Sequence, residues 1–206
     1  MKLAVILGST RPGRQTAKQA KWVVNSAQQI EGVEVELLDL KDYPMPFFAE
    51  AASPRYNPNR TIDPIAQKWL GRLEAADAYI FVTPEYNHSI PGVLKNAFDY
   101  IDFQVDRKPA AIVSHGANGG TRAAMHLKEI ISEGKMVPIP NSVAFHGVSD
   151  GIDESGNISE ALKANPYGPQ AALTGLLAEL KWYSDALSVG RIAALAFELS
   201  KEVSAG

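Results

Sequence analysis

The chain has 206 residues, a formal net charge of −3 and no cysteine. That length suits one α/β domain with a substantial core, and the charge balance offers no footprint for nucleic acid or an anionic membrane. The missing thiols exclude disulfides, thiol catalysis and Cys-ligated metal sites.

Met1-Lys2 leads straight into the apolar run Leu3-Ala4-Val5-Ile6-Leu7. The expectation is a cytoplasmic chain with no signal peptide, and no apolar run approaches the ~20 residues of a membrane span. The run reads as a strand buried on both faces of a parallel sheet. It opens into the polar loop Gly8-Ser9-Thr10-Arg11-Pro12-Gly13-Arg14-Gln15-Thr16. A helix is expected over Thr16–Ile30, with Ala17, Ala20, Val23, Val24, Ala27 and Ile30 near helical spacing and Gly32 as its stop. Strand, polar loop and helix N-terminus together make an anion site, because free N–H groups and the positive dipole end face the loop. Ser9, Thr10 and Thr16 add hydroxyls, and Arg11 and Arg14 add charged donors. Gly8 and Gly13 do not have the spacing of the dinucleotide fingerprint, and no Gly-Lys-Ser/Thr P-loop is present. Hydroxyls and guanidinium suit a terminal phosphate monoester. The same residues would also serve an ordinary strand–helix turn with solvated arginines.

Val33–Leu40 alternates apolar residues with glutamates and reads as a second, less buried strand. Asp42–Thr61 carries four prolines, which predicts a long ordered loop. Its aromatics Tyr43, Phe47 and Phe48 either cover a pocket or subunit interface or pack on the core of their own domain. Asp63 as N-cap and Pro64 at the first helical position start a helix to Ala75. Ala78–Thr83 is the third strand, followed by Pro84-Glu85-Tyr86-Asn87-His88-Ser89-Ile90-Pro91-Gly92 and a helix over Val93–Ile101. Ala110–Val113 is the fourth strand, followed by Ser114-His115-Gly116-Ala117-Asn118-Gly119-Gly120-Thr121 and a helix to about Ser132. Met136–Val143 holds a fifth strand interrupted by Pro138 and Pro140. Asp150–Pro169 is polar and turn-rich, Ala171–Leu187 is a final amphipathic helix, and the tail from Ser188 is alanine-rich with a helical pattern. The domain expectation is one unit over 1–187 and a helical or flexible tail over 188–206.

Alternating strands and helices give a doubly wound α/β fold with right-handed crossovers. Five strands fit the flavodoxin-like order 2-1-3-4-5, whose ligand crevice lies at the carboxyl ends of neighbouring strands. The three distinctive polar loops follow strands 1, 3 and 4, which are adjacent in that order. They converge on one rim.

The long stretch Thr83-Pro84-Glu85-Tyr86-Asn87-His88-Ser89-Ile90-Pro91-Gly92-Val93-Leu94-Lys95-Asn96-Ala97-Phe98-Asp99 resembles the NAD(P)H-dependent FMN reductases, a flavodoxin-like group that includes quinone, azo-dye and chromate reductases. Gly8-Ser9-Thr10-Arg11, Asp42-Tyr43-Pro44-Met45-Pro46 and the Ser114…Gly116…Gly119-Gly120 loop are similar to the same group, so the likeness runs through at least residues 3–135. The resemblance implies that Ser9, Arg11 and the Thr16 end of the first loop hold the FMN phosphate. Arg14, Gln15 and Thr16 stand where the family usually has further serine and asparagine donors. It further implies that Pro84, Glu85, Tyr86 and Asn87 line the isoalloxazine and that Ser114, His115, Gly116 and Gly119 cover its other edge. Fixed N–H donors there would stabilise the negative charge of a reduced flavin. The implied activity is ping-pong hydride transfer from NADPH or NADH through FMN to a quinone, free flavin or other small electrophile, in a homodimer or homotetramer. No general base and no metal ligand set is expected.

Blander roles stand beside these. Glu85 would favour the dipole of the following helix, Tyr86 would be a core or interface aromatic, and His88 a hydrogen-bonding or packing residue rather than a proton donor. Lys95 and Asn96 would cap a helix or touch a partner subunit. Ser114 beside His115 is no triad, since no G-x-S-x-G elbow is present. The rival functions are an electron-carrier flavoprotein without nicotinamide turnover, which would be expected to be more acidic, and a hydrolase, for which nucleophile and base are missing.

Overall fold

Residues 1–57, 59–147 and 151–205 are described by the computed structural model. Pro58 of the proline-rich loop, Asp150 at the head of the polar stretch and Gly206 of the tail lie outside the described residues. Five strands, β1 (Lys2–Leu7), β2 (Glu34–Asp39), β3 (Ala78–Pro84), β4 (Pro109–Gly116) and β5 (Val137–His146), pair in parallel. Their order, β2-β1-β3-β4-β5, is the expected flavodoxin-like one. The helices are α1 (Thr16–Ala27), α2 (Pro64–Ala75), α3 (Gly92–Asp99), α4 (Thr121–Glu133), α5 (Glu160–Ala164) and α6 (Pro169–Ala205).

The continuous apolar run of β1 follows from burial on both faces. Ala4 and Ile6 join Tyr79, Phe81 and Ile112 on the side covered by α2, α3 and α4, with Trp69, Leu94 and Leu127 packed there. Leu3, Val5 and Leu7 join Ile80, Val82 and Val113 on the other side, beneath Trp22 and Val23 of α1 and Leu173, Leu176 and Leu180 of α6. Fully burying each such side chain stabilises the fold by roughly 1.5–3 kcal/mol. β2, at one edge, keeps its glutamates in solvent. α2 starts as its sequence demands: Asp63 Oδ1 accepts from the amides of Ile65 at 2.8 Å and Ala66 at 3.3 Å, with Pro64 at the first helical position.

Several boundaries differ from expectation. α1 ends at Ala27, so Ile30 lies outside it, and α3 begins at Gly92 and closes at Asp99. β5 continues past Val143 to His146, because an edge strand tolerates Pro138 and Pro140 where no ladder donor is needed. The stretch expected to be turns contains the short helix α5, which buries no residue. α6 runs unbroken through Ser188, so the expected boundary at 187/188 is no break in secondary structure. Its second half is tied down where Arg191 Nη1 donates to the Arg107 carbonyl at 3.0 Å, and beyond that Ile192, Leu195 and Phe197 face solvent. No described helix is long and apolar enough to cross a membrane.

The proline-rich loop is strapped to the α3–β4 connection. The nearly buried Arg60 guanidinium meets the Glu50 carboxylate at 2.7 Å and the Tyr100 carbonyl at 3.0 Å. Asn96 neither caps a helix nor faces outward: its Oδ1 accepts from Phe48 N at 2.8 Å and its Nδ2 donates to the Pro46 carbonyl at 2.9 Å. Lys95 pairs with Asp99. The loop aromatics divide: Tyr43 is buried and Phe48 packs edge-on to Tyr100, on the core of their own domain, whereas Phe47 is 85% exposed.

Candidate functional site

Parallel pairing carries the ends of β1, β3 and β4 to one rim: Leu7 lies opposite Val82, Thr83 opposite Ser114 and Pro84 opposite His115. The three polar loops therefore meet. Ser9 Oγ and the Tyr86 hydroxyl share a 2.9 Å hydrogen bond between the first and second loops. Gly8 lets the first loop pass beneath α3, where a Cβ would lie 2.8 Å from Leu94 Cδ2.

A cavity of ≈ 260 Å³ opens between the loops, lined by Arg11, Gly13, Arg14, Gln15, Thr16, Pro84, Tyr86 and His115. Seven of these were singled out in the sequence. Gly13 entered there only through its spacing to Gly8; the Pro12-Gly13 pair is the turn signal, and the structure gives Gly13 a φ of +68°. Larger cavities, such as one of ≈ 670 Å³ between α1, the Gly156–Ile158 segment and α6, include none of the loop residues on this rim.

The loop residues divide by what their side chains do. Arg11 is exposed, and its amide donates to Ser9 Oγ at 3.3 Å. Arg14 is committed elsewhere: its guanidinium pairs with Asp39 at the end of β2, 2.9 Å from Nη1 to Oδ1, and also donates to the Ser9 carbonyl. It thereby holds the loop in shape. Gln15 stands at the cap position of α1 without a side-chain capping bond. Thr16 Oγ1 is buried with no hydrogen-bond partner. An orphaned buried hydroxyl is costly, and a ligand acceptor in the cavity would satisfy it.

Across the cavity, His115 Nε2 is likewise buried without a partner. Burial pushes the His115 pKa down, and a hydrogen bond with the Gly147 backbone only partly offsets this. The ring is therefore neutral near pH 7. Ser114 Oγ is turned away and donates to the Gly119 carbonyl at 2.7 Å, so this hydroxyl shapes its own loop. Gly116 and Gly119 permit that tight winding: a Cβ on Gly116 would lie 3.1 Å from Gly120 N, and Gly119 has φ +72° against the His146 ring.

Tyr86 and Ser89 exchange backbone hydrogen bonds of 2.9 and 3.0 Å around Asn87 and His88. Both central residues are left-handed, with φ of 50° and 67°, as in a type I′ turn. Asn87 and His88 are exposed at its tip, and Ser89 Oγ bonds His126 Nδ1 of α4 at 2.8 Å. Glu85 does not serve the helix that follows it. Its carboxylate accepts from the amides of Arg122 at 3.1 Å and Ala123 at 3.4 Å, the first turn of α4. Arg122 and His126 were missed in the sequence, since only tertiary contact joins them to the second loop.

The chain matches the sequence profile of the NADPH-dependent FMN reductases over residues 1–150. It is 33% identical over 144 residues to an NAD(P)H-dependent FMN reductase of Schizosaccharomyces pombe, covering 70% of this chain and 72% of that one. It is 32% identical over 139 residues to an NAD(P)H:quinone oxidoreductase of Solanum tuberosum, covering 63% and 66%. Among solved structures it is similar to FerB, a flavoenzyme NAD(P)H:(acceptor) oxidoreductase from Paracoccus denitrificans, with a TM-score of 0.66, 23% identity, and 91% and 97% of the two chains covered. That last likeness speaks to the fold.

Proposed function

The chain belongs to the NADPH-dependent FMN reductase family, and from that premise we propose that it is an FMN-dependent oxidoreductase fed by NADPH or NADH. The observation that carries the reading is the rim cavity, where the first loop faces Pro84, Tyr86 and His115 and where Thr16 Oγ1 and His115 Nε2 are buried without partners. Thr16 Oγ1 offers a donor to a phosphate monoester, and Nε2 of the neutral His115, whose other ring nitrogen bonds the Gly147 backbone, offers an acceptor to a hydroxyl of a polar chain.

The chemistry FMN supplies when bound is acceptance of a hydride from a nicotinamide and its donation to a second acceptor. The protein's part is binding and orientation. Thr16 Oγ1, the positive end of the α1 dipole and the exposed Arg11 take the phosphate, while Arg14, locked by Asp39, keeps the loop in register. Pro84, Tyr86 and His115 form the facing wall, and the Asn87 turn with the glycine-wound loop after Ser114 frames the ring edge through backbone groups. One open face then serves donor and acceptor in turn, with quinones, free flavin or other small electrophiles as acceptors. The exposed Phe47 and Val93 stand on elements next to this rim and support a homodimer in which each subunit completes the other's site.

The test is an absorbance spectrum of the purified protein, before and after incubation with FMN, followed by anaerobic NADPH and then NADH. A bound flavin that bleaches promptly supports the reading. A bound flavin that neither nucleotide bleaches makes the protein an electron carrier, and no flavin uptake means that the rim holds a different phosphorylated ligand.

A further inference from the structure

α4 has no N-cap of its own. It starts after Gly120, at φ +69°, with no side-chain capping bond from that residue and no acidic residue in its first turn. A helix start left this way presents the equivalent of about half a positive charge. Glu85, delivered from the end of β3, fills it. Besides the two amide contacts, Glu85 Oε1 accepts from Arg122 Nη1 at 3.1 Å. Its side chain is 12% exposed, against 47% for Arg122. The absence of a side chain at Gly116 makes room, since a Cβ there would sit 3.3 Å from Glu85 Cβ. Burial pushes the Glu85 carboxyl up, and the Arg122 guanidinium and the two amides outweigh it, so the net shift is downward and the group is ionised at neutral pH.

We propose that Glu85 is a positioning residue that tunes the flavin: by occupying the start of α4 it withdraws from the rim a positive end that would otherwise stabilise the reduced, anionic cofactor. The inference rests on the FMN reading above. Without the carboxylate, the helix end and the Arg122 charge would stand uncompensated beside the loop that frames the ring. Reduced flavin would then be held more tightly than oxidised flavin, which opposes passage of electrons to the second substrate. A purely mechanical tie between the second and third loops would instead weaken both redox forms alike.

The test compares wild type with Glu85→Gln, which keeps the shape and loses the charge, and with Arg122→Gln, a change at a half-exposed side chain. The readout is the ratio of dissociation constants for oxidised and reduced FMN, obtained from anaerobic titration against a redox dye. Glu85→Gln is expected to shift that ratio about tenfold toward the reduced form, a rise of roughly 30 mV for a two-electron couple. Arg122→Gln is expected to shift it the other way. In apo protein, Glu85→Gln should also speed amide exchange at Arg122 and Ala123. Equal losses of both redox forms with an unmoved potential, or a shift of opposite sign, overturn the proposal. If Glu85→Gln does not fold, the sign of the Arg122→Gln shift decides. A wild-type chain that takes up no flavin overturns the cofactor reading and this inference with it.

Discussion

The Tyr86 hydroxyl and Ser9 Oγ, 2.9 Å apart, join two loops that are 77 residues distant in sequence. Tyr86→Phe removes that bond and leaves the ring in place. A net loss of about 1 kcal/mol in unfolding free energy is expected, together with roughly fivefold weaker FMN binding if the loop spacing carries the same energy into the complex. Urea denaturation and flavin fluorescence quenching measure the two effects. Unchanged affinity alongside reduced stability would separate the bond from the site.

Thr16→Val should behave in the opposite manner. The hydroxyl is buried and unpartnered in the free protein, so replacing it with a methyl should leave the apo melting temperature unchanged or higher. Binding of a phosphate-bearing ligand should weaken about tenfold, or ~1.4 kcal/mol, because a hydrogen bond to a charged group is lost. Riboflavin, which lacks the phosphate, should bind both proteins equally.

Two glycines of the site should respond unequally to alanine. At Gly120 a Cβ would sit 2.7 Å from the His115 amide nitrogen, at φ +69°. Backbone clash and left-handed strain together should destabilise the chain by at least ~2 kcal/mol. Gly13 has a similar φ, +68°, with open space around it, so Gly13→Ala should lose only about 1 kcal/mol. Equal losses in thermal denaturation would mean that the close approach at Gly120 is absent in solution.

His115 sets a pH dependence. Its folded pKa is depressed by burial, while the unfolded value is about 6.5. Between the two, the unfolded chain binds more protons, so stability rises with pH and levels off above about 6.5. Below the folded pKa the whole penalty is present. His115→Gln should remove this component from the difference in urea midpoints between pH 4.5 and 7.5, and the imidazole proton resonance should titrate below its usual range.

Elements whose signals are local were legible in the sequence. Asp63-Pro64 specifies a capped helix start within four residues, and the apolar runs at Leu3–Leu7 and Ala78–Val82 specify doubly covered strands. The strand order and the convergence of three loops followed from that alternation. Side-chain destinations were less legible. Arg14 looked like a phosphate donor because its charge was visible, while its partner Asp39 lies on another strand. Glu85 suggests a charge that favours the dipole of the next helix, and the helix whose first amides it binds begins beyond β4. Asn96 was read as a cap or subunit contact, and it binds the proline-rich loop instead. The helical pattern of the tail from Ser188 was legible, and its continuity with the helix ending at Leu187 was not, because the buried stripe of Leu173, Leu176, Leu177 and Leu180 gives way to the exposed Ile192, Leu195 and Phe197.

β1 carries the first polar loop and sits inside the sheet, yet in the chain it precedes both strands it pairs with. Its inner neighbour β3 begins only at Ala78, and the cover over the face shared by β3, β4 and β5 comes from α6, which starts at Pro169. During synthesis the apolar run Leu3–Leu7 therefore waits through dozens of residues for its inner pairing partner, and the second face of the sheet waits for α6, which begins only at Pro169. Parallel pairing across such separations is slow to nucleate and leaves sticky intermediates. A nascent chain halted before Pro169 would carry a finished first loop on a half-clad sheet, so demand for chaperones should last until α6 has been made.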